Sequence, residues 1–286
     1  MGAEPGRTAR YDPAQPVADT ASQAHREFEA LARKAGMEPS DLWVGGYADY
    51  EWRHLRLLLQ AYDLHPGGRD ILEFGCNVGA SSVVLAALGG RVTAVDISAD
   101  AAAIARANLR RHGLDAAATV LHVADTRGLP FPSASFDMVL ANSVLEYVEP
   151  EQLDAVLAEL HRLLRPGGRM LICGTASRTA IREVHSRRWL VNYLPRGVDR
   201  LLGRSLQRGI CPFQLAHGLS GRFEAIGRDR WLEARAAVHG RPSFAMRAVS
   251  RVAALLGISP GWFAPNIELL LEKRVEAGPD SGRRSG

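Results

Sequence analysis

Short apolar runs and longer amphipathic stretches alternate through the middle of the chain, and their two periods separate strands from helices. Asp70–Phe74 (DILEF) is a run of strand length that ends at a glycine, and Gly79–Leu88, rich in Ala, Val and Leu, predicts a helix after it. Arg91–Asp96 (RVTAVD) predicts a second strand, and Ser98 or Asp100 caps a helix running to about Arg111. Thr119–Val123 and Phe136–Leu140 (FDMVL) predict the third and fourth strands. Over Gln152–Leu164, the residues Leu153, Val156, Leu157, Leu160 and Leu164 recur at i, i+3, i+4, i+7 and i+11, the stripe of a helix lying on a core. Arg165-Pro-Gly-Gly168 is expected to break that helix before a fifth strand at Met170–Cys173. The pattern loosens after Gly174, with Phe223–Ile226 and Ile267–Glu272 (IELLLE) as the last predicted strands, and Asp49–Tyr62 predicts a helix lying over one end of the sheet. Strand and helix in alternation predict an α/β fold with a parallel sheet.

With 286 residues, 47% hydrophobic and 23% charged, the chain falls in the globular range, which excludes wholesale disorder, collagen-like sequence and a disulfide-stapled miniprotein. Residues 1–20, rich in Ala, Pro, Gly and Asp, predict a flexible arm and residues 278–286 a flexible tail, leaving residues 21–277 as a single folded domain. No apolar stretch suits a signal peptide or a membrane span. Cys76, Cys173 and Cys211 are too widely spaced for a disulfide framework or a metal site, so the expectation is a cytoplasmic protein with reduced thiols and no metal.

The net charge of +4 is unevenly divided. All but two of the basic residues, Lys34 and Lys273, are arginines. From Arg178 to Arg251 there are 15 Arg against five acids, a local excess of +10 that leaves −6 for the rest of the chain. One basic segment, without basic stripes interleaved with aromatics and lysine, argues against nucleic acid as a partner. Two readings of that segment stay open: a surface for an anionic substrate or membrane face, or a solvated lid whose arginines pair with acids elsewhere.

The sharpest motif is Glu73-Phe-Gly75-Cys-Asn77-Val-Gly79, between the first strand and the first helix. A turn at that place brings backbone close to a ligand, and glycine permits the approach. Asp96 ends the second strand 21 residues past Gly75, where a carboxylate can accept both hydroxyls of a ribose. A dinucleotide site wants G-x-G-x-x-G so that a pyrophosphate sits on the helix N-terminus. Here Asn77 and Ala80 stand at the second and third glycines, and Glu73, two places before Gly75, suits a cationic ligand.

This E/D-x-G-x-x-x-G layout resembles the class I S-adenosylmethionine-dependent methyltransferases, of the type 11-like small-molecule group. The likeness continues in Asp96 of VDIS, Asp125 of ADT, FDMVLANSVLEYV at 136–148 and LRPGG at 164–168, and it covers about residues 69–174. It implies a Rossmann-like seven-stranded, mostly parallel sheet with helices on both faces and an antiparallel last strand. A helical N-terminal cap (21–68), a core (69–174) and a substrate region with a helical lid around strands six and seven (175–265) would complete the domain. The implied cofactor is S-adenosyl-L-methionine, leaving as S-adenosyl-L-homocysteine. Carried over residue by residue, Glu73 meets the methionine amino group, Gly75 lends its backbone, and Asn77 and Gly79 complete the turn. Asp96 takes the ribose diol, Ile97 packs on adenine, Asp125 with Thr126 meets the adenine edge, and Asn142 holds the amino acid end. Asn77 departs from the glycine common in the family, and asparagine tolerates left-handed φ.

Among titratable groups outside the motif, His185 is the candidate general base, with a capping or exposed histidine as the alternative; His54, His217 and His239 have weaker claims. Tyr47, Trp52, Glu146, Tyr147 and Trp189 are candidate substrate contacts, Tyr47 and Trp52 being equally readable as core. The expected reaction is methyl transfer to an oxygen or nitrogen of a small molecule in natural-product metabolism. That molecule would be hydrophobic and anionic, or carrier-bound. The alternative is a membrane-peripheral lipid or glycolipid methyltransferase. An RNA methyltransferase and a nonenzymatic cofactor-binding module stand further back. AlaAsnSerVal occupies the place of an NPPY-type tetrapeptide, which counts against methylation of base amino groups.

Overall fold

The computed structural model describes residues 13–182, 187–195, 197–202, 206 and 208–274. Helices α1 (Gln23–Lys34) and α2 (Tyr47–Ala61) precede the sheet. Then β1 (Asp70–Phe74), α3 (Ala80–Ala87), β2 (Arg91–Asp96), α4 (Ala99–Arg111), β3 (Ala118–His122), β4 (Phe136–Asn142), α5 (Leu153–Leu163) and β5 (Leu164–Ala176) alternate. They are followed by α6 (Gly197–Leu202), α7 (Pro212–Leu219), β6 (Phe223–Ile226), α8 (Trp231–His239), α9 (Phe244–Leu255) and β7 (Asn266–Lys273). The strands form one seven-stranded sheet in the order β3-β2-β1-β4-β5-β7-β6. All run parallel except β7, which is antiparallel to both of its neighbours. The sheet expected from the sequence is therefore present, with its antiparallel last strand.

The central strands are buried on both faces, which is why they read as continuous apolar runs. Ile71, Val92, Ala94, Met138, Leu140, Leu171 and Leu270 pack with α2, α3, α4 and α8 on one face. Their neighbours in sequence, Leu72, Val95, Val139, Met170, Ile172, Leu269 and Leu271, pack with α5 and α7 on the other. The α5 stripe falls where the periodicity placed it: Leu153, Val156, Leu157, Leu160 and Leu163 are all buried. Ser98, and not Asp100, caps α4, its hydroxyl accepting from the Ala101 N–H at 3.2 Å.

One boundary differs from expectation. Arg165-Pro-Gly-Gly168 does not stand as a break between helix and strand; α5 ends at Leu163 and β5 begins at once at Leu164. The register to β4 shifts between Phe136 and Met138, and Gly167, at φ 71°, supplies the left-handed residue that lets the strand absorb the irregularity. Residues 13–20, the end of the expected arm, lie against the domain: Gln15 Nε2 donates to Asp49 Oδ1 at 2.7 Å and the Asp19 N–H to the Arg111 carbonyl at 2.7 Å.

Arg111, at the end of α4, ties the N-terminal helices to the sheet. Its guanidinium is buried over the Phe28 ring at 3.8 Å and donates to Asn108 Oδ1 at 2.7 Å and to the Gly45 carbonyl at 3.0 Å, just ahead of α2. Burial pulls its pKa down to about 10, so it stays charged at neutral pH. Arg111→Met should keep the packing and orphan those two acceptors, lowering stability by about 2 kcal/mol and raising protease sensitivity ahead of α2. Denaturant unfolding with limited proteolysis checks this, and wild-type values in both would show that α2 is seated without it.

Candidate functional site

Side chains alternate along a strand, so the residue that follows two buried apolar positions on one face faces the same way. On the α2 side of the sheet the apolar series ends at Glu73 in β1, Asp96 in β2, Asn142 in β4 and Cys173 in β5. The antiparallel β7 enters from the opposite end and places Glu268 beside them. These residues line a cleft of about 1170 Å³ at the carboxyl ends of the parallel strands, roofed by α2 and walled by α8.

The turn after β1 has the geometry expected of it. Gly75 (φ 77°) and Asn77 (φ 46°) are left-handed, so asparagine does adopt the conformation that glycine supplies elsewhere, and a Cβ on Gly75 would run into Val144. The Asn77 N–H donates to Asp96 Oδ2 at 2.8 Å and the Ser98 N–H to Oδ1 at 2.9 Å, which fixes the carboxylate at the mouth of the cleft. Gly79 (φ 77°) does not line the cleft. It starts α3 where a Cβ would sit 2.9 Å from that of Ala105, so its role is helix packing.

Glu73 is 2% exposed and accepts from the Ser82 hydroxyl. Glu51, from α2, is 4% exposed; Asn142 Nδ2 donates to its Oε1 and to Ser81 Oγ, each at 3.1 Å, and Tyr47 also hydrogen-bonds it. Burial pushes Glu51 up to about 7; it pushes Glu73 up to about 8, with the charges of Glu51 and Asp96 adding to the rise. Neither forms an ion pair among the described residues. Two buried carboxyls beside a third, with no cation against them, make a donor set for a cationic group. Next to them Ile97 is 66% exposed on the cleft wall, an apolar platform beside Ala124 and Thr126. Asp125 also lines the cleft but is exposed and held by Arg127, whose Nη2 lies 2.7 Å from Oδ2; that hydrogen bonding holds its pKa down at about 2. A flat apolar platform, a fixed carboxylate and a buried acidic end fit an adenosine carrying a cationic tail.

The roof completes the site, and most of it escaped the sequence reading. Tyr47, Tyr50, Glu51 and His54 fall at i, i+3, i+4 and i+7, one face of α2; the sequence points to Tyr47 and, more weakly, His54, but carries no signal for Tyr50 or Glu51 beyond that spacing. His54 stacks on Tyr50 (3.8 Å between centroids, 18° between planes), with Nδ1 2.6 Å from the Tyr50 carbonyl. A carbonyl only accepts, so in the neutral ring Nδ1 carries the proton and Nε2 the lone pair. Opposite, Tyr62 donates to Glu268 Oε1 at 2.8 Å and Arg235 Nη1 lies 3.4 Å from Oε2. Arg235 Nε and Asn266 Oδ1, on residues of the same wall, are buried without a hydrogen-bond partner among the described residues. His239, whose pKa is lowered by burial and then by Arg235, lies 6.5 Å from His54 between ring centroids.

Of the other expected residues, Thr126, Asn142, Tyr47 and Tyr147 line the cleft. Trp52 does not: it is core, with Arg56 over its ring. Glu146 also lies off the cleft wall, accepting from the Ala176 N–H at 3.3 Å, and Trp189 is exposed beside Arg182. His185 lies outside the described residues. Burial raises the pKa of both Cys76 and Cys173, leaving them as unreactive thiols.

Residues 72–172 match the family model described as a methyltransferase domain. Over 144 residues the chain is 33% identical to the malonyl-acyl-carrier-protein O-methyltransferase of Erwinia billingiae, a match taking in 50% of this chain and 53% of that protein. Over 107 residues it is 39% identical to the demethylmenaquinone methyltransferase of Clavibacter sepedonicus, 37% of this chain and 41% of that one. The chain thus spans about half or less of the length of these curated relatives. Among solved structures it is similar to the 4+2 cyclase SpnF, with 20% identity, 92% of this chain and 98% of that one covered and a TM-score of 0.51, a likeness of fold alone.

A carboxyl whose pKa is raised by folding holds its proton better in the folded chain. It therefore stabilises the fold below its ordinary value of 4.5 and loses that contribution as pH rises through about 7 for Glu51 and about 8 for Glu73. The ligand-free protein should lose thermal stability as pH rises from about 5 to about 8, and Glu73→Gln should flatten the loss. Melting curves across that range check the sign; a midpoint that rises with pH in the wild type would contradict it.

Proposed function

We propose that the chain, whose residues 72–172 match a methyltransferase domain, is a class I S-adenosylmethionine-dependent methyltransferase, an enzyme that methylates an oxygen or nitrogen of a small molecule in natural-product metabolism. The observation that carries the reading is the pair of buried carboxyls, Glu51 and Glu73, facing the cleft at the glycine turn without a cation. When bound, S-adenosylmethionine supplies a methyl group already activated by its sulfonium. The residues that would hold it are Glu73, Glu51 and Asn142 at the amino acid end, Gly75 and Asn77 along the turn, Asp96 at the ribose, and Ile97, Asp125 and Thr126 around the adenine.

What this chain's own residues then do is align and desolvate. Such positioning can contribute roughly 7 to 11 kcal/mol in oriented reactions. The acceptor would lie under α2, against Tyr47, Tyr50 and Tyr147, with its polar groups on Arg235 Nε and Asn266 Oδ1, buried atoms of cleft-lining residues that lack a hydrogen-bond partner among the described residues. His54 Nε2 would take the proton from the attacking hydroxyl or amine, since its Nδ1 proton is committed to the Tyr50 carbonyl. A lipid or glycolipid acceptor is a second reading, favoured by the exposed apolar face of α9, the helix that packs next to α8.

Asp96→Ala should weaken S-adenosylmethionine binding at least about tenfold, because a charged acceptor of two hydroxyls is lost; calorimetry reads it, and unchanged affinity would remove the ribose assignment. Methyl-labelled cofactor incubated with metabolite extracts, followed by mass spectrometry of the product, identifies the acceptor. With that acceptor His54→Gln should lower turnover by about a hundredfold at unchanged cofactor affinity, while His185→Ala stays near wild type. The opposite pattern would move the base to His185, and no labelled product from any extract would remove methyl transfer itself.

A further inference from the structure

Helix α9 turns an apolar and basic face outward. Phe244, Arg247, Ala248, Arg251, Val252 and Leu255 fall at i, i+3, i+4, i+7, i+8 and i+11, a single stripe, while the only residue of α9 that is buried is Ala253, on another side. Phe244 is 79% exposed, Val252 55% and Leu255 88%, and Leu256 and Phe263 extend the exposed apolar surface past the helix end. Scattered exposed apolar residues need no explanation, but a contiguous helical stripe of them does.

The arginines on that stripe differ from four others in the basic segment that pair with acids. Arg208 pairs with Asp199 at 2.7 Å, Arg222 with Asp154 at 2.7 Å, Arg230 with Asp63 at 3.8 Å and Arg235 with Glu268 at 3.4 Å. Arg247 and Arg251 make no ion pair among the described residues. From residue 234 to residue 267 the chain holds four arginines and not one Asp or Glu, so nothing along that stretch answers their charge.

We propose that α9 docks this protein on an anionic lipid bilayer, lying in the plane of the surface. Phe244, Val252 and Leu255 would enter the boundary between headgroups and acyl chains, and Arg247 and Arg251 would meet lipid phosphates. At 12 residues the helix is too short to span, and among the described residues no helix is long and apolar enough to cross a membrane. A second copy of the chain is a poorer occupant: a two-fold pairing of this stripe would set Arg247 and Arg251 against the same arginines with no acid between them. Nucleic acid is poorer too, because Phe244 is the one ring on the stripe, and Val252 and Leu255 would be left against water or phosphate rather than stacked on bases. The surface stands independently of methyl transfer, yet the two are coupled in space. Helix α8, which packs against α9, supplies Arg235, Val238 and His239 to the cleft, so docking would bring that wall near the lipid.

The test is cosedimentation of the full chain with vesicles of phosphatidylcholine alone and with about 30 mol% phosphatidylglycerol. Binding is expected with the anionic vesicles only, and should weaken as salt is raised from about 0.05 to about 0.5 M. The pair Arg247→Glu with Arg251→Glu, and separately Phe244→Ser with Leu255→Ser, should each lower binding by roughly tenfold or more. Both variants should keep wild-type melting and S-adenosylmethionine affinity, which separates loss of the surface from loss of the fold or cofactor site. No pelleting of the wild type, equal pelleting with neutral vesicles, salt-independent binding or a variant that binds like wild type would each overturn the proposal. So would a dimer in sedimentation velocity that the Phe244 and Leu255 changes dissolve while vesicles bind nothing, since that assigns the face to a second copy.

Discussion

Helix α2 lies across the ends of the sheet, and its burial of polar groups there governs much of what surrounds it. A parallel strand covered on both faces can remain apolar only until the chain leaves the sheet. At that point Glu73, Asp96, Asn142 and Glu268 replace the apolar series. Roofing them takes carboxylates out of water, a cost of several kcal/mol for each charge left without a partner. Part of that cost is met by hydrogen bonds from Ser82, Asn142 and Tyr47, and part by holding protons on Glu51 and Glu73 beyond the pH at which free carboxyls release them. What hydrogen bonds do not offset is a standing preference for positive charge in the cleft.

The rest of the molecule can be followed outward from that roof. Arg111 holds the segment ahead of α2 through the Gly45 carbonyl and Phe28, so the position of Tyr47, Glu51 and His54 depends on a side chain at the far end of α4. The reversal of β7 brings Glu268 and Asn266 from near the end of the chain to within reach of α2, where Tyr62 and Arg235 receive Glu268. Helix α8 closes the wall with Arg235 and His239, and α9 continues beyond it to the surface. Within the basic segment Arg208, Arg222, Arg230 and Arg235 pair with acids, whereas Arg247 and Arg251 are left outward on α9.

The fold was legible because its signals are local. Strand runs, the α5 stripe, the Ser98 cap and the glycine turn each depend on neighbours within a few residues, and so does the left-handed Asn77. The β5 boundary was misread because a Pro-Gly-Gly sequence normally ends an element, whereas here pairing with β4 carries the strand through it. The glycine-turn side of the cleft was legible for the same reason, since Glu73, Gly75 and Asp96 sit at strand ends marked in the sequence and all three line it.

Apart from Tyr47 and Tyr147, the far wall of the cleft was not legible, and the reason is distance along the chain. Tyr50 and His54 come from α2, Arg235 and His239 from α8, Asn266 and Glu268 from β7; none is near another in sequence, and each alone reads as an ordinary surface or core residue. Trp52, one turn from Ala48 and Leu55 on the same helix, faces the core while Tyr47 faces the cleft, a choice made by the rotation of α2 on the sheet. The charge count shows the same division. Composition alone determined that a +10 segment exists, but which of its arginines are neutralised depends on acids such as Asp63 and Asp154, brought to them by folding. Sequence determines what short-range sterics, hydrogen bonding and periodicity decide. Only the tertiary structure decides which distant charges and rings share one low-dielectric space, because that depends on how whole elements pack.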